Sequence, residues 1–180
     1  MPIVPIAPFA PFAPFFASAV SLLLASPSGQ ARAAEVYELP SVLVIAKSSN
    51  KNQVHYAARV DDSCTPVGPS PVRAYWLMLE HGPHATEPLL DREKKMLGLE
   101  RQEVSGNTVQ FALRAMPGRT FVVHTSWVDN QCSSWVGTTI AGVAARVTSV
   151  YVQQKLFGVA YVLLSGASED GAAVRERVSP

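Results

Sequence analysis

A two-residue alternation of apolar and polar side chains constrains this chain more than any other feature. Val54, Tyr56, Ala58 and Val60 alternate with Gln53, His55, Ala57 and Arg59. Val109, Phe111 and Leu113 alternate with Thr108, Gln110 and Arg114. Phe121, Val123 and Trp127 share one parity, with His124 and Ser126 on the other. Successive side chains of a strand point to opposite faces, so each stretch puts one face in a core and the other in water. Continuous apolar runs at 42–46, 72–79, 143–152 and 159–164 are rich in Val, Tyr, Trp and Leu, as strands covered on both faces are. Residues 174–178 supply a last strand. Turn residues separate the runs: Ser48-Ser49-Asn50-Lys51-Asn52 between two strands, and Val104-Ser105-Gly106-Asn107-Thr108 as a hairpin. One segment reads as a helix, with Thr86 as cap, Pro88 in the first turn and Gly98 at the C-terminal end. The expectation is an all-β, mainly antiparallel fold: a single β-sandwich or barrel-like domain of about eight or nine strands with one short helix.

Residues 1–33 have a different chemistry. Arg32 is the only charged side chain before Glu35, and Pro2, Pro5, Pro8, Pro11 and Pro14 recur at every third position, which favours extended chain over helix. Phe15 to Ala25 is an apolar run of 11 residues, too short to span a bilayer, which takes about 20. Its length suits the core of a secretory signal, and Ala31-Arg32-Ala33 places small residues before a cut. The expected organisation is a signal peptide over 1–33 and one β-rich domain over 34–180, exported to the periplasm or beyond, with no integral membrane span in the mature chain. The start of this leader lacks Lys and Arg, which leaves a proline-rich tail as the alternative.

Removing Arg32 from the 15 basic residues leaves 14, equal to the 14 acidic ones. A balanced surface gives no reason to expect nucleic acid as a partner. In an oxidising compartment, the pair Cys64 and Cys132 reads as a disulfide between two loops.

Candidate chemistry is sparse. His81 and His84 form a loop pair, but zinc sites need three or four protein ligands, and no Cys-x-x-Cys or His-Glu-x-x-His accompanies them. His55 and His124 fall on polar strand faces, where solvated side chains are expected. Ser48 and Lys51 match a Ser-x-x-Lys spacing, but in a turn rather than at a helix start. No metal, cofactor or catalytic residue is therefore assigned. Glu176 shares its parity with Val174 and Val178, so it points inward and needs a cationic or hydrogen-bonding partner, for which Arg146, Arg73 and Lys51 are candidates. Tyr75 and Trp135 are core residues or the flat wall of a pocket for a sugar ring or apolar ligand.

Asn50-Lys51-Asn52 with Val54 and Tyr56, followed by Val72 and Tyr75-Trp76-Leu77-Met78, resembles the domain of unknown function 4833. The resemblance continues through Glu93 and Gly98, with Leu97 where that family has tyrosine. It continues through Gly142-Val143-Ala144-Ala145, with Val143 in place of lysine, and Tyr151-Val152. It ends on Gly166, Gly171, Val174, Glu176 and Pro180. It implies export from bacteria and carries no activity across.

The functional expectation is a non-enzymatic, exported β module that contacts an envelope protein or a small ligand. Its candidate ligand residues are Asn50, Lys51 and Asn52, with Tyr75 and a nearby Glu176. The competing reading is that Asn50 and Asn52 serve turn geometry, since Asn tolerates positive φ. Two alternatives stand beside it: an envelope hydrolase using Glu176 with Lys51 or a histidine, and a lipocalin-like carrier of an apolar ligand.

Overall fold

The computed structural model describes residues 35–47, 49–156 and 158–179; the expected leader lies outside them. In chain order the strands are β1 (Tyr37–Lys47), β2 (Gln53–Val60), β3 (Val72–Leu77) and β4 (Thr86–Pro88). After the helix α1 (Asp91–Leu97) come β5 (Leu99–Ser105), β6 (Thr108–Leu113), β7 (Met116–Val128), β8 (Gln131–Ile140), β9 (Val143–Lys155), β10 (Gly158–Ser168) and β11 (Ala173–Val178). The fold is all-β and mainly antiparallel, as expected, with eleven strands in one sheet among the described residues rather than eight or nine.

The long strand β9 organises the sheet. β10 pairs with it from Ala145 to Lys155, so β8 at residues 143–146 and β1 at residues 150–152 share its other edge. The contact of β1 with β9 is parallel. From this fork run two limbs, β1-β2-β3-β4 and β8-β7-β6-β5, while β11 pairs only with β10. The core fills the space between the limbs. Tyr56 of β2 stacks on Phe111 of β6, which stacks on Phe121 of β7, with centroids 6.4 and 5.6 Å apart. All three are buried.

The far ends of the limbs meet through one side chain. The Val72 amide of β3 donates to Gln102 Oε1 at 2.9 Å, and Gln102 Nε2 donates back to the Val72 carbonyl at 2.8 Å. A glutamine amide thus replaces one rung of a ladder between β3 and β5. This bridges the two limbs side by side, while the sheet itself stays open at β4 and β5.

The helix departs from its expected start. Thr86–Pro88 pairs with β3 as a short strand, because its extended backbone completes that edge. Leu90 takes the cap position. Glu93 reaches back to the Leu90 amide at 2.8 Å and also accepts the indole N–H of buried Trp76 at 2.8 Å. Gly98 ends the helix because a Cβ there would lie 2.3 Å from the Lys94 carbonyl oxygen. The Leu97 carbonyl, left open by the helix end, accepts the Tyr56 hydroxyl at 2.7 Å.

Two face assignments change. Trp127 continues the inward parity of Phe121 and Val123, yet it is 52 % exposed, because the β7–β8 hairpin extends past the core there. His55 lies on the outer face of β2 but is buried: the β1 bulge between Leu39 and Leu43 brings Ser41 over it. No helix among the described residues is long and apolar enough to cross a membrane.

Candidate functional site

The turn Asn50-Lys51-Asn52 is tied into the fold by its asparagines. Asn50 Oδ1 accepts the Asn52 amide at 3.2 Å. The buried Asn52 side chain donates to Glu80 Oε2 and accepts the Glu80 amide, both at 3.1 Å. Neither asparagine has a positive φ, so side-chain bonding rather than a left-handed backbone makes the turn. Lys51 is exposed.

Tyr75 lies on the outer face beside the ring of His55, at 5.9 Å, with the Arg73 guanidinium 5.0 Å from its own ring. Arg73 is held by Glu38 through two contacts of 2.5 and 2.6 Å. His55 Nδ1 lies 2.7 Å from Ser41 Oγ, and Nε2 lies 3.0 Å from Gln53 Oε1. With the amide oxygen as acceptor, Nε2 carries the proton and Nδ1 accepts from the Ser41 hydroxyl. Burial lowers the His55 pKa, which keeps the ring neutral.

Glu176 sits elsewhere. It pairs with Leu164, which pairs with Val150, which pairs with Ile45 of β1. Two strands therefore separate it from the strand that leads into the Asn50 turn, and the five candidate positions do not form one site. Its partner is Arg119, none of the three cations expected. Arg119 Nη2 donates to Glu176 Oε1 at 2.6 Å, and the Ala141 amide donates to Oε2 at 2.7 Å. Arg119 also donates to the Thr139 carbonyl. The guanidinium and the amide hold the Glu176 carboxyl below the usual carboxylate range. Arg119 escapes a parity argument because it lies in the Pro117-Gly118-Arg119 stretch before the β7 alternation begins. Arg119 and Glu176 line a cleft of about 570 Å³ with Met116, Thr138 and Val178.

A second recess, of about 690 Å³, lies on the outer face of β7, β8 and β9 and shares Thr120, Thr138 and Thr139 with that cleft. His124 and Trp135 are cross-strand partners whose rings stack at 3.9 Å and 10°. Gly137 makes room for them: a Cβ there would lie 3.1 Å from Trp135 Cζ3 and 3.7 Å from His124 Nε2. The Arg146 guanidinium stands 6.0 Å from the indole centroid, and Glu169 lines the same recess. Among the described residues, neither Arg146 nor Glu169 has an ion-pair or side-chain hydrogen-bond partner. Burial lowers the His124 pKa, so the plate is uncharged at neutral pH. Of this group, only Trp135 stands out in the sequence as a pocket residue. The pairing that sets His124 beside it depends on register across the β7–β8 hairpin.

Cys64 and Cys132 form a disulfide. Among the described residues, no group of three or more His, Cys, Asp or Glu is gathered to hold a metal ion. A family model described as Domain of unknown function (DUF4833) matches residues 43–177. Neither the comparison with curated proteins nor that with solved structures gave a match.

Proposed function

The chain belongs to the DUF4833 family, and from that premise we propose that it is an exported, non-enzymatic binding module that captures a small ligand on the outer face of β7, β8 and β9. One observation carries this reading: the stacked Trp135–His124 plate lies in an open recess beside two charged groups, Arg146 and Glu169, that make no ion pair or side-chain hydrogen bond among the described residues. Flat aromatic surface beside a few polar groups is the usual makeup of a ligand site. The disulfide fits an oxidising compartment, and residues 1–33 supply the leader.

The hydrolase reading fares worse. A general acid needs a raised pKa, whereas both Glu176 oxygens are occupied and its pKa is lowered. A lipocalin-like carrier needs a long internal cavity. The space enclosed by Ile45, Val54, Trp76 and Val162 is about 20 Å³, the size of a single water.

The test is native mass spectrometry of the mature protein purified from its exported compartment. The expected result is a bound mass that vanishes on denaturation and is missing from Trp135→Ala. A bound mass retained in that variant overturns the reading. The denatured mass checks cleavage after Ala33.

A further inference from the structure

We propose that the ligand of this recess is a saccharide: one pyranose ring lies on the Trp135 indole while Arg146 and Glu169 bind its hydroxyl rim. The inference rests on the binding-module reading and names the chemistry of the same site.

A pyranose has two kinds of surface. Its axial C–H groups make a weakly polar face that packs on an indole, because the positive C–H edges meet the negative π face. Its equatorial rim presents hydroxyls, each needing a donor and an acceptor. A purely apolar ligand makes no use of Arg146 and Glu169, both exposed at the rim, and an anion is repelled by Glu169. A cation is repelled by Arg146. A neutral polyol satisfies both, since guanidinium is donor-only and carboxylate acceptor-only. Two further hydroxyls, those of Thr120 and Thr139, line the recess and make no side-chain hydrogen bond of their own among the described residues.

The plate is built in advance. His124 backs the indole at 3.9 Å, and Gly137 removes the side chain that would push the rings apart. A rigid aromatic anchor loses little conformational entropy on binding. The recess shares a wall with the Arg119–Glu176 cleft, so a chain of several rings has a continuous path along Thr120, Thr138 and Thr139. Longer oligomers are expected to bind more tightly than a single ring.

The experiment uses the mature chain and a panel of soluble tri- and tetrasaccharides: the gluco series with α and β linkages, and the N-acetylglucosamine series. Saturation-transfer NMR is read alongside titration calorimetry. At least one series is expected to bind, with strongest transfer to its axial ring protons. Trp135→Ala should abolish binding. Glu169→Gln, an exposed substitution that leaves the fold intact, should weaken it roughly tenfold, the loss expected for a hydrogen bond to a charged group. Binding unchanged in Glu169→Gln overturns the rim assignment. Absence of binding across the panel overturns the saccharide class. If the exported protein nevertheless carries a Trp135-dependent mass that is no sugar, the recess stands as a site and only the class falls. If it carries none, both fall.

Discussion

Glu176 and Arg119, 57 residues apart in sequence, form an ion pair at 2.6 Å that fastens β11, the strand paired only with β10, to the start of β7. The second carboxylate oxygen holds the Ala141 amide at the β8–β9 turn. One side chain thus joins β11 to two neighbouring segments of the β7–β8 limb. Both groups are about three-quarters or more shielded from solvent, so this pair differs from a surface ion pair of negligible worth.

Glu176→Ala should therefore cost about 2 kcal/mol, the range for losing charge-assisted bonds and leaving their donors unpaired. Urea unfolding at neutral pH measures it. The folded-state pKa lies below the ordinary 4.5, so this contribution is present above that value and is lost as pH falls through the lower one. The gap between wild type and variant should shrink under acid. A gap that stays constant to about pH 3 would contradict the assignment.

His55 and His124 give stability a second pH dependence. Burial lowers both pKa values below the ordinary 6.5, so the unfolded chain takes up protons first as the solution is acidified. Stability should be complete above about pH 6.5 and decline below it, with a slope of at most about 1.4 kcal/mol per pH unit for each histidine. His55→Gln should flatten part of the decline. It should also lower stability at neutral pH, because Ser41 and Gln53 lose their shared partner.

The disulfide closes a sequence separation of 68 residues. It joins the loop after β2 to the β7–β8 hairpin, which ties the two limbs together at one end. Cys64→Ser with Cys132→Ser should destabilise by about 4 kcal/mol in the chain-entropy account. Urea unfolding of the oxidised protein against the double variant measures this. Trp127 is the ladder partner of Cys132, so its fluorescence should report loosening of the hairpin in the variant.

What the sequence made legible follows from how each element stores its information. β2, β6 and most of β7 alternate cleanly because one face is core and one is not. β8 was invisible to that test: Gln131, Ser133, Ser134, Thr138 and Thr139 dilute its apolar count, and Thr138 is one of its buried residues. It is buried because its hydroxyl donates to the Thr120 carbonyl at 2.7 Å, a partner only the fold supplies. β5 failed the test because its burial is shallow and its key residue, Gln102, acts as a backbone mimic. The inward direction of Glu176 was readable from parity, but its partner was not, because register across β10, β9 and β8 decides which cation comes near. Asn50 and Asn52 were visible as turn residues, while the Glu80 contact that buries Asn52 depends on the β3–β4 loop. The Trp135–His124 plate lay half in view for the same reason: one ring was conspicuous and its partner depended on pairing.

Gly166 gives the most severe single-substitution prediction, and it concerns packing rather than chain flexibility. It sits at an irregularity in the β9–β10 ladder. A Cβ there would lie 2.5 Å from the Arg146 carbonyl oxygen and 2.7 Å from Ile140 Cδ1. Ile140 can be trimmed, but the carbonyl belongs to the β9 backbone, which is paired with β8 and β10 at that point. Gly166→Ala should cost about 3 kcal/mol or more, the upper range for overpacking. Adding Ile140→Ala relieves one of the two clashes, so the double variant should be less destabilised than the sum of the singles, a coupling read from a double-mutant cycle in urea. Because the displaced carbonyl is that of Arg146, Gly166→Ala should also weaken ligand capture at Trp135 under conditions where the variant remains folded. Strict additivity with Ile140→Ala, together with a loss of only about 0.5 kcal/mol for Gly166→Ala alone, would show that β10 moves off β9 at little cost and that the close approach is not what requires glycine.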